Sequence, residues 1–204
     1  MSESTKPIIG MVGGIGAGKT SVAQVMAELG GLIINADAHA REALQREDVR
    51  DRLVEVFGEE LLTEQGEVNR ARLADMIFSD ERQRQIVESL VHPVVAARRQ
   101  ALIAQAQADG AVQFVVLDVP LLFEVRLEDE CDAIVFVDTD RERRLQRLAD
   151  TRGWTASELE RREKNQIPLD RKREMSDYVI DNNATEAEVR RHVQDVVERI
   201  LESS

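Results

Sequence analysis

Residues 8–20 read Ile8-Ile9-Gly10-Met11-Val12-Gly13-Gly14-Ile15-Gly16-Ala17-Gly18-Lys19-Thr20. The second half fits G-x-x-x-x-G-K-[ST], a pattern with a physical requirement built into it. The apolar run Ile8–Val12 predicts a strand and Lys19–Leu29 predicts a helix, which puts the glycines in the turn between them. Glycines let successive backbone N–H groups turn inward around phosphate oxygens with no Cβ in the way. A helix opening near Lys19 points the positive end of its dipole at the same anion. Gly14, Ile15, Gly16, Ala17, Gly18 and Ser21 are the expected nucleotide contacts. Lys19 is expected to reach the β- and γ-phosphates, and Thr20 to offer a hydroxyl to Mg²⁺. A chain of this length matches the pattern by accident on the order of once in a hundred. The phosphate-binding reading therefore prevails.

Short, mostly β-branched runs bounded by turn signals recur at Leu32–Ile34, Val112–Leu117, Ala133–Val137 and Tyr178–Ile180. None alternates cleanly, which suits strands buried on both faces of a parallel sheet. Helical patterns lie between most of them. The first ends at Gly30-Gly31. Thr139 is the expected cap of a helix running to about Asp150, and Asn183, with Glu186 three residues on, the cap of the last. That last helix puts Val189, Val193, Val196, Val197 and Ile200 on one face. Alternating strands and helices predict a three-layer α/β fold.

One crossover is long. From Ile34 to Val112 the sequence shows helical patterns instead of a strand: Val49–Phe57 before Gly58, Arg70–Phe78 before Ser79-Asp80, and Glu81–Val91 before Pro93. The expected organisation is a single unit over 1–204. Its nucleotide-binding core is 8–37 and 111–204, with a lid at about 147–170, and 38–110 is a helical insertion covering the acceptor.

A net charge of −12 disfavours nucleic acid, whose phosphates most of this surface would repel. Between Arg141 and Arg173, however, eleven Arg or Lys face six Asp or Glu. Such a basic island suits a small polyanion, and equally a solvated helix pair. Cys131 is the only cysteine, so an internal disulfide is impossible, and its acidic flanks fit a plain thiol. Met1–Pro7 is polar and no run approaches membrane-spanning length, so a cytoplasmic enzyme without membrane or obligate protein partner is expected.

A guanine-reading N-K-x-D sequence, an L-S-G-G-Q signature and G-x-G-x-x-G are all absent. Asp150-Thr-Arg-Gly153 imitates a D-x-x-G switch but ends a predicted helix rather than a strand. A small-molecule kinase remains, with a nucleoside or nucleotide kinase and an acceptor-free switch as alternatives.

Three more segments narrow the field: Ile34-Asn-Ala-Asp37-Ala-His-Ala-Arg41, Leu117-Asp118-Val-Pro120-Leu121-Leu122-Phe123-Glu124 and Ser176-Asp177-Tyr-Val-Ile-Asp181-Asn182-Asn183. With the glycine loop they closely resemble the dephospho-CoA kinase family, over nearly the whole chain. Val91-His92-Pro93 is similar to that family's L-H-P turn, and Val12 stands where the family often has Thr. The resemblance implies a P-loop kinase fold with ATP and dephospho-CoA as substrates, Mg²⁺ as cofactor, and transfer to the ribose 3′-hydroxyl. Asp37 follows the second strand at the edge where ligands bind in open α/β sheets. Alone it reads equally as a general base or a helix cap; the resemblance favours the base. Asp118 resembles a Walker B carboxylate holding Mg²⁺, against a turn-forming Asp before Pro120. Leu121, Leu122 and Phe123 are read as acceptor wall or plain core, Arg70 as an acceptor contact or surface, and His92 as an acceptor-side family position or a structural residue. Arg147 and Arg152 would act from the lid on the transferring phosphate. Asn183 is placed with the nucleotide. Arg143, Arg144, Arg161 and Arg162 read as ordinary surface.

Overall fold

Among the described residues five strands form one sheet: β1 (Ile8–Gly13), β2 (Gly31–Asn35), β3 (Phe114–Asp118), β4 (Ala133–Asp138) and β5 (Tyr178–Asp181), in the order β2-β3-β1-β4-β5. This is a computed structural model, and it describes residues 5–78 and 80–203. Met1–Ser4 of the polar start and Ser79 of the expected Ser79-Asp80 stop lie outside the described residues. The sheet is parallel, with Met11 opposite Asp118 on one side of β1 and opposite Val135 on the other. All of β3 and all but the last residue of β4 are buried, as expected of strands covered on both faces.

Nine α-helices connect or flank the strands among the described residues: α1 (Lys19–Glu28), α2 (Ala36–Gln45), α3 (Glu47–Phe57), α4 (Arg70–Phe78), α5 (Glu81–Ala108), α6 (Arg141–Arg152), α7 (Ala156–Glu163), α8 (Leu169–Glu174) and α9 (Glu186–Ser203). None is long and apolar enough to cross a membrane. The chain divides into two compact units, residues 1–34 with 103–204, and residues 35–102.

In the first unit, Val22, Ala23 and Met26 of α1 and Val189, Val193, Val196, Val197 and Ile200 of α9 pack with the sheet residues Ile9, Met11, Val135 and Val137. The five residues expected on one face of the last helix are all buried. Each fully buried aliphatic side chain contributes about 1.5–3 kcal/mol, which fixes α1 and α9 to the sheet. In the second unit Ala43, Val49, Leu53, Phe57, Leu61, Leu73, Val87 and Val91 make a separate core. There Val68 binds Gln45 through both its N–H and its carbonyl.

Several helix ends differ from the sequence reading. Asn35 caps α2, its Oδ1 accepting the Ala38 N–H at 2.8 Å. Asp140, not Thr139, is the N-cap residue of α6, because the Thr139 hydroxyl is turned into the fold. Nor does Asn183 cap α9. Thr185 and Glu188 do, in a reciprocal capping box. α5 passes through Pro93 instead of stopping before it. A helix tolerates an interior proline, at the loss of one backbone hydrogen bond, where packing repays it, and Val91 lies buried in the second core.

Candidate active site

β1 ends at Gly13 on the carboxyl edge of the sheet and α1 leaves from Lys19, so residues 14–18 span the gap. Gly16 and Gly18 take φ of 78° and 84°, left-handed values that a side chain would make costly. A Cβ on Gly18 would also stand 2.7 Å from Asn182 Nδ2 and 2.8 Å from Arg147 Nη1. Gly18 opens α1 with no side-chain cap, the condition in which a helix N-terminus receives an anion. Lys19 Nζ curls over the loop, 3.3 Å from the Gly13 carbonyl and 3.5 Å from that of Gly14.

The other side of the loop is held by side chains that directly follow β4 and β5 and by others on α6. The Ala17 carbonyl accepts from Thr139 Oγ1 at 2.8 Å, Asn182 Nδ2 at 2.7 Å and Arg147 Nη1 at 3.1 Å. Arg144 donates to the Ile15 carbonyl at 3.2 Å and pairs with Glu163 at 2.5 Å. Arg144 is only 4% exposed, so it is not the surface residue its sequence context suggests. Alongside, a cleft of about 230 Å³ is lined by Gly14, Phe136, Thr139, Arg144, Leu169 and Arg173. Asn183, the nucleotide contact expected from sequence, accepts the Asp140 N–H and donates to Asp181; its neighbour Asn182 is the one that meets the loop.

Asp118 is buried at the end of β3, beside the strand that delivers the loop. Thr20 is exposed in the first turn of α1. Beyond Asp118, Leu122 packs so closely on Gly10 that a Cβ there would lie 2.8 Å from Leu122 Cδ1. Leu122 and Phe123 are core, while Leu121 faces solvent. Glu124 accepts from the Ile167 N–H at 2.9 Å and from Lys172 Nζ at 2.8 Å. Lys172 is 1% exposed and also reaches Gln166. This Glu124–Lys172 tie, and the buried Thr139 and Asn182, are what the sequence reading missed. Nothing in composition marks a buried lysine, and only the tertiary fold brings residues 43 or more positions apart together.

Arg152 lies exposed in the last turn of α6 with its guanidinium 5.0 Å from the Trp154 ring centroid, and Arg162 lies 4.3 Å from the same ring. Glu158 binds Arg161 and Arg162, and hydrogen bonds from the two guanidinium groups hold its carboxyl below its ordinary range. Arg147 is half-buried and turned to the loop; Arg152 is turned to Trp154.

In the second unit Asp37 occupies the first turn of α2 with its side chain exposed. Because Asn35 caps the helix, Asp37 is not the cap. Its carboxylate makes no hydrogen bond or ion pair with a described residue, and only its carbonyl is used, by Arg41 Nε at 3.1 Å. Arg70 starts α4, exposed, and His92 is exposed on α5.

A parallel sheet in the order 2-3-1-4-5, with a glycine loop running from its central strand into a helix and a lysine over that loop, defines a P-loop kinase. The fold is shared with the dephospho-CoA kinase of Campylobacter jejuni, whose structure superposes with a TM-score of 0.67 at 21% identity, covering 97% of this chain and 98% of that one. The family model for dephospho-CoA kinase matches residues 7–188. The dephospho-CoA kinase of Thermobifida fusca is 38% identical over 193 residues, 94% of this chain and 95% of its own. That of Rhodopirellula baltica is 39% identical over 202 residues, 97% and 92% of the two chains. The chain belongs to the dephospho-CoA kinase family. Its activity is dephospho-CoA kinase activity, the last step of coenzyme A biosynthesis.

Proposed function

We propose that the chain transfers the γ-phosphoryl group of ATP to the ribose 3′-hydroxyl of dephospho-CoA in the cytoplasm, with Mg²⁺ as cofactor. The observation that carries this reading is the Gly13–Thr20 loop, with two left-handed glycines and Lys19 folded over it at the start of an uncapped helix. Residues 8–37 and 111–204 serve the nucleotide, about 147–170 act as a lid, and 38–110 receive the acceptor.

The Gly14–Gly18 loop, through N–H groups such as those of Gly16 and Gly18, holds the triphosphate with Ser21 behind it, and Asn183 flanks the nucleotide. Lys19 follows the charge that grows on the transferring group. Asp37 accepts the proton of the 3′-hydroxyl as its oxygen attacks the γ-phosphorus. The bond to the bridging oxygen breaks and ADP leaves with that electron pair. Arg152, brought in by the lid, and Arg147 stabilise the equatorial oxygens. Arg70, His92 and the Leu121–Phe123 segment, with Leu121 outermost, bind the acceptor, and Asp118 takes part on that side too.

Thr20 and Asp118 would hold Mg²⁺. A hydroxyl and a carboxylate are both hard oxygen donors, which this ion prefers. Among the described residues no group of three His, Cys, Asp or Glu is placed to hold a metal, which fits an ion that takes its remaining ligands from phosphate and water. When bound, the ion supplies charge neutralisation across the β- and γ-phosphates.

An acceptor panel tests the reading. ADP should appear with dephospho-CoA and not with nucleosides, nucleotides or buffer alone. Turnover that depends on a nucleoside, or tight nucleotide binding without any acceptor-dependent turnover, overturns it.

A further inference from the structure

Thr139 and Asn182 are 7% and 8% exposed, each directly follows a strand, and neither is near the reacting atoms in sequence. Both hydroxyl and amide are spent on one oxygen, the Ala17 carbonyl, which Arg147 also reaches. A carbonyl has two lone pairs, so three donors saturate it and fix its direction. In a planar trans peptide the carbonyl of one residue and the N–H of the next point opposite ways. An Ala17 carbonyl pulled toward β4, α6 and β5 therefore turns the Gly18 N–H away from them. Arg144 does the same two peptides earlier, drawing the Ile15 carbonyl and turning the Gly16 N–H. The Ala17 N–H between them is used inside the loop, on the Gly14 carbonyl. The N–H groups of Gly16 and Gly18 bind no described residue.

We propose that Thr139 and Asn182 are positioning residues for phosphoryl transfer. By holding the Ala17 carbonyl from behind, they keep the Gly18 N–H aimed at the polyphosphate before it arrives. Preorganised donors cost no rearrangement when charge develops, which gives the arrangement its kinetic value. The inference rests on the reading of Gly13–Thr20 as the triphosphate cradle.

The test uses the full chain with Thr139→Val, which keeps the shape and removes the donor, Thr139→Ser, which restores the hydroxyl, and Asn182→Ala. Inorganic tripolyphosphate is titrated calorimetrically, KM is measured for ATP and dephospho-CoA, and the Gly18 amide resonance is followed during the titration. Thr139→Val and Asn182→Ala should each weaken tripolyphosphate and raise the KM for ATP by about five- to tenfold, the range of one net hydrogen bond. The KM for dephospho-CoA should stay within about twofold, Thr139→Ser should recover most of the loss, and the Gly18 shift on binding should shrink. Unchanged tripolyphosphate affinity, or equal rises in both KM values, overturns the proposal. If one variant fails to fold, the other position decides, since it meets the same carbonyl. Parent protein that ignores tripolyphosphate, or Lys19→Ala that binds it normally, overturns the cradle reading itself.

Discussion

Lys19 carries its ammonium over the glycine loop, within reach of the Gly13 and Gly14 carbonyls, at the start of α1. Lys19→Ala should lower kcat by about 10²-fold or more, because backbone N–H groups alone do not replace a cation at the developing γ-phosphate charge. Near-parental turnover in a steady-state assay would contradict the role. Asp37→Asn separates the two jobs open to Asp37 on sequence alone. Asn35 already caps α2, so the substitution should leave the melting temperature unchanged, while Asn cannot accept the hydroxyl proton. A loss of about 10²–10⁴-fold in kcat with unaltered ATP affinity is expected. Turnover within a few-fold of the parent would move the base elsewhere. At this scale the sequence was legible where chemistry is local. Gly16, Gly18 and Lys19 declare themselves by spacing. Asn182 and Arg144 do not, since a position one residue along a strand end, or one turn along a basic helix, decides between solvent and the loop.

Elements were easier to read than their ends. The five strands appear where β-branched runs stand, because a buried parallel strand has to be apolar throughout. Helix ends follow capping atoms, and those depend on which of several Ser, Thr, Asn or Asp side chains tertiary contacts have already claimed. Thr139 and Asn183 were good caps by type, but they were committed to Ala17 and Asp140. Thr185 then caps α9, and its hydroxyl, followed by its N–H, holds the Glu188 carboxyl below its ordinary 4.5. A depressed carboxyl contributes stability that is present above the unfolded value and lost as pH falls through the folded one. The melting temperature of Glu188→Ala should therefore lie below the parent's above about pH 4.5, and the gap should close as the pH drops further. A gap that persists at pH 2 in thermal unfolding would show that the carboxylate charge is not what holds the cap.

The whole molecule is acidic, yet the stretch from Arg141 to Arg173 carries a local excess of positive residues, in the unit that carries the glycine loop. The second unit has its own apolar core, where the sequence shows helical patterns in a crossover too long for one helix. Two cores in one chain imply two sets of local openings, each with its own free energy, and a ligand that binds the native form suppresses the openings of the part it contacts. If residues 38–110 receive the acceptor and the glycine loop receives ATP, the ligands should leave different footprints in amide hydrogen exchange. A non-hydrolysable ATP analogue at about 100 times its Kd should slow exchange by up to about 100-fold, equivalent to about 2.7 kcal/mol, for amides that exchange through openings which lose the nucleotide. These should lie in β1, the loop, α1 and α6. Dephospho-CoA alone should instead protect amides of α2 and α4, near Asp37 and Arg70. Tandem exchange and mass spectrometry on the parent chain reads both patterns. Protection by dephospho-CoA confined to β1, α1 and α6, with none in residues 38–110, would mean that the insertion does not receive the acceptor.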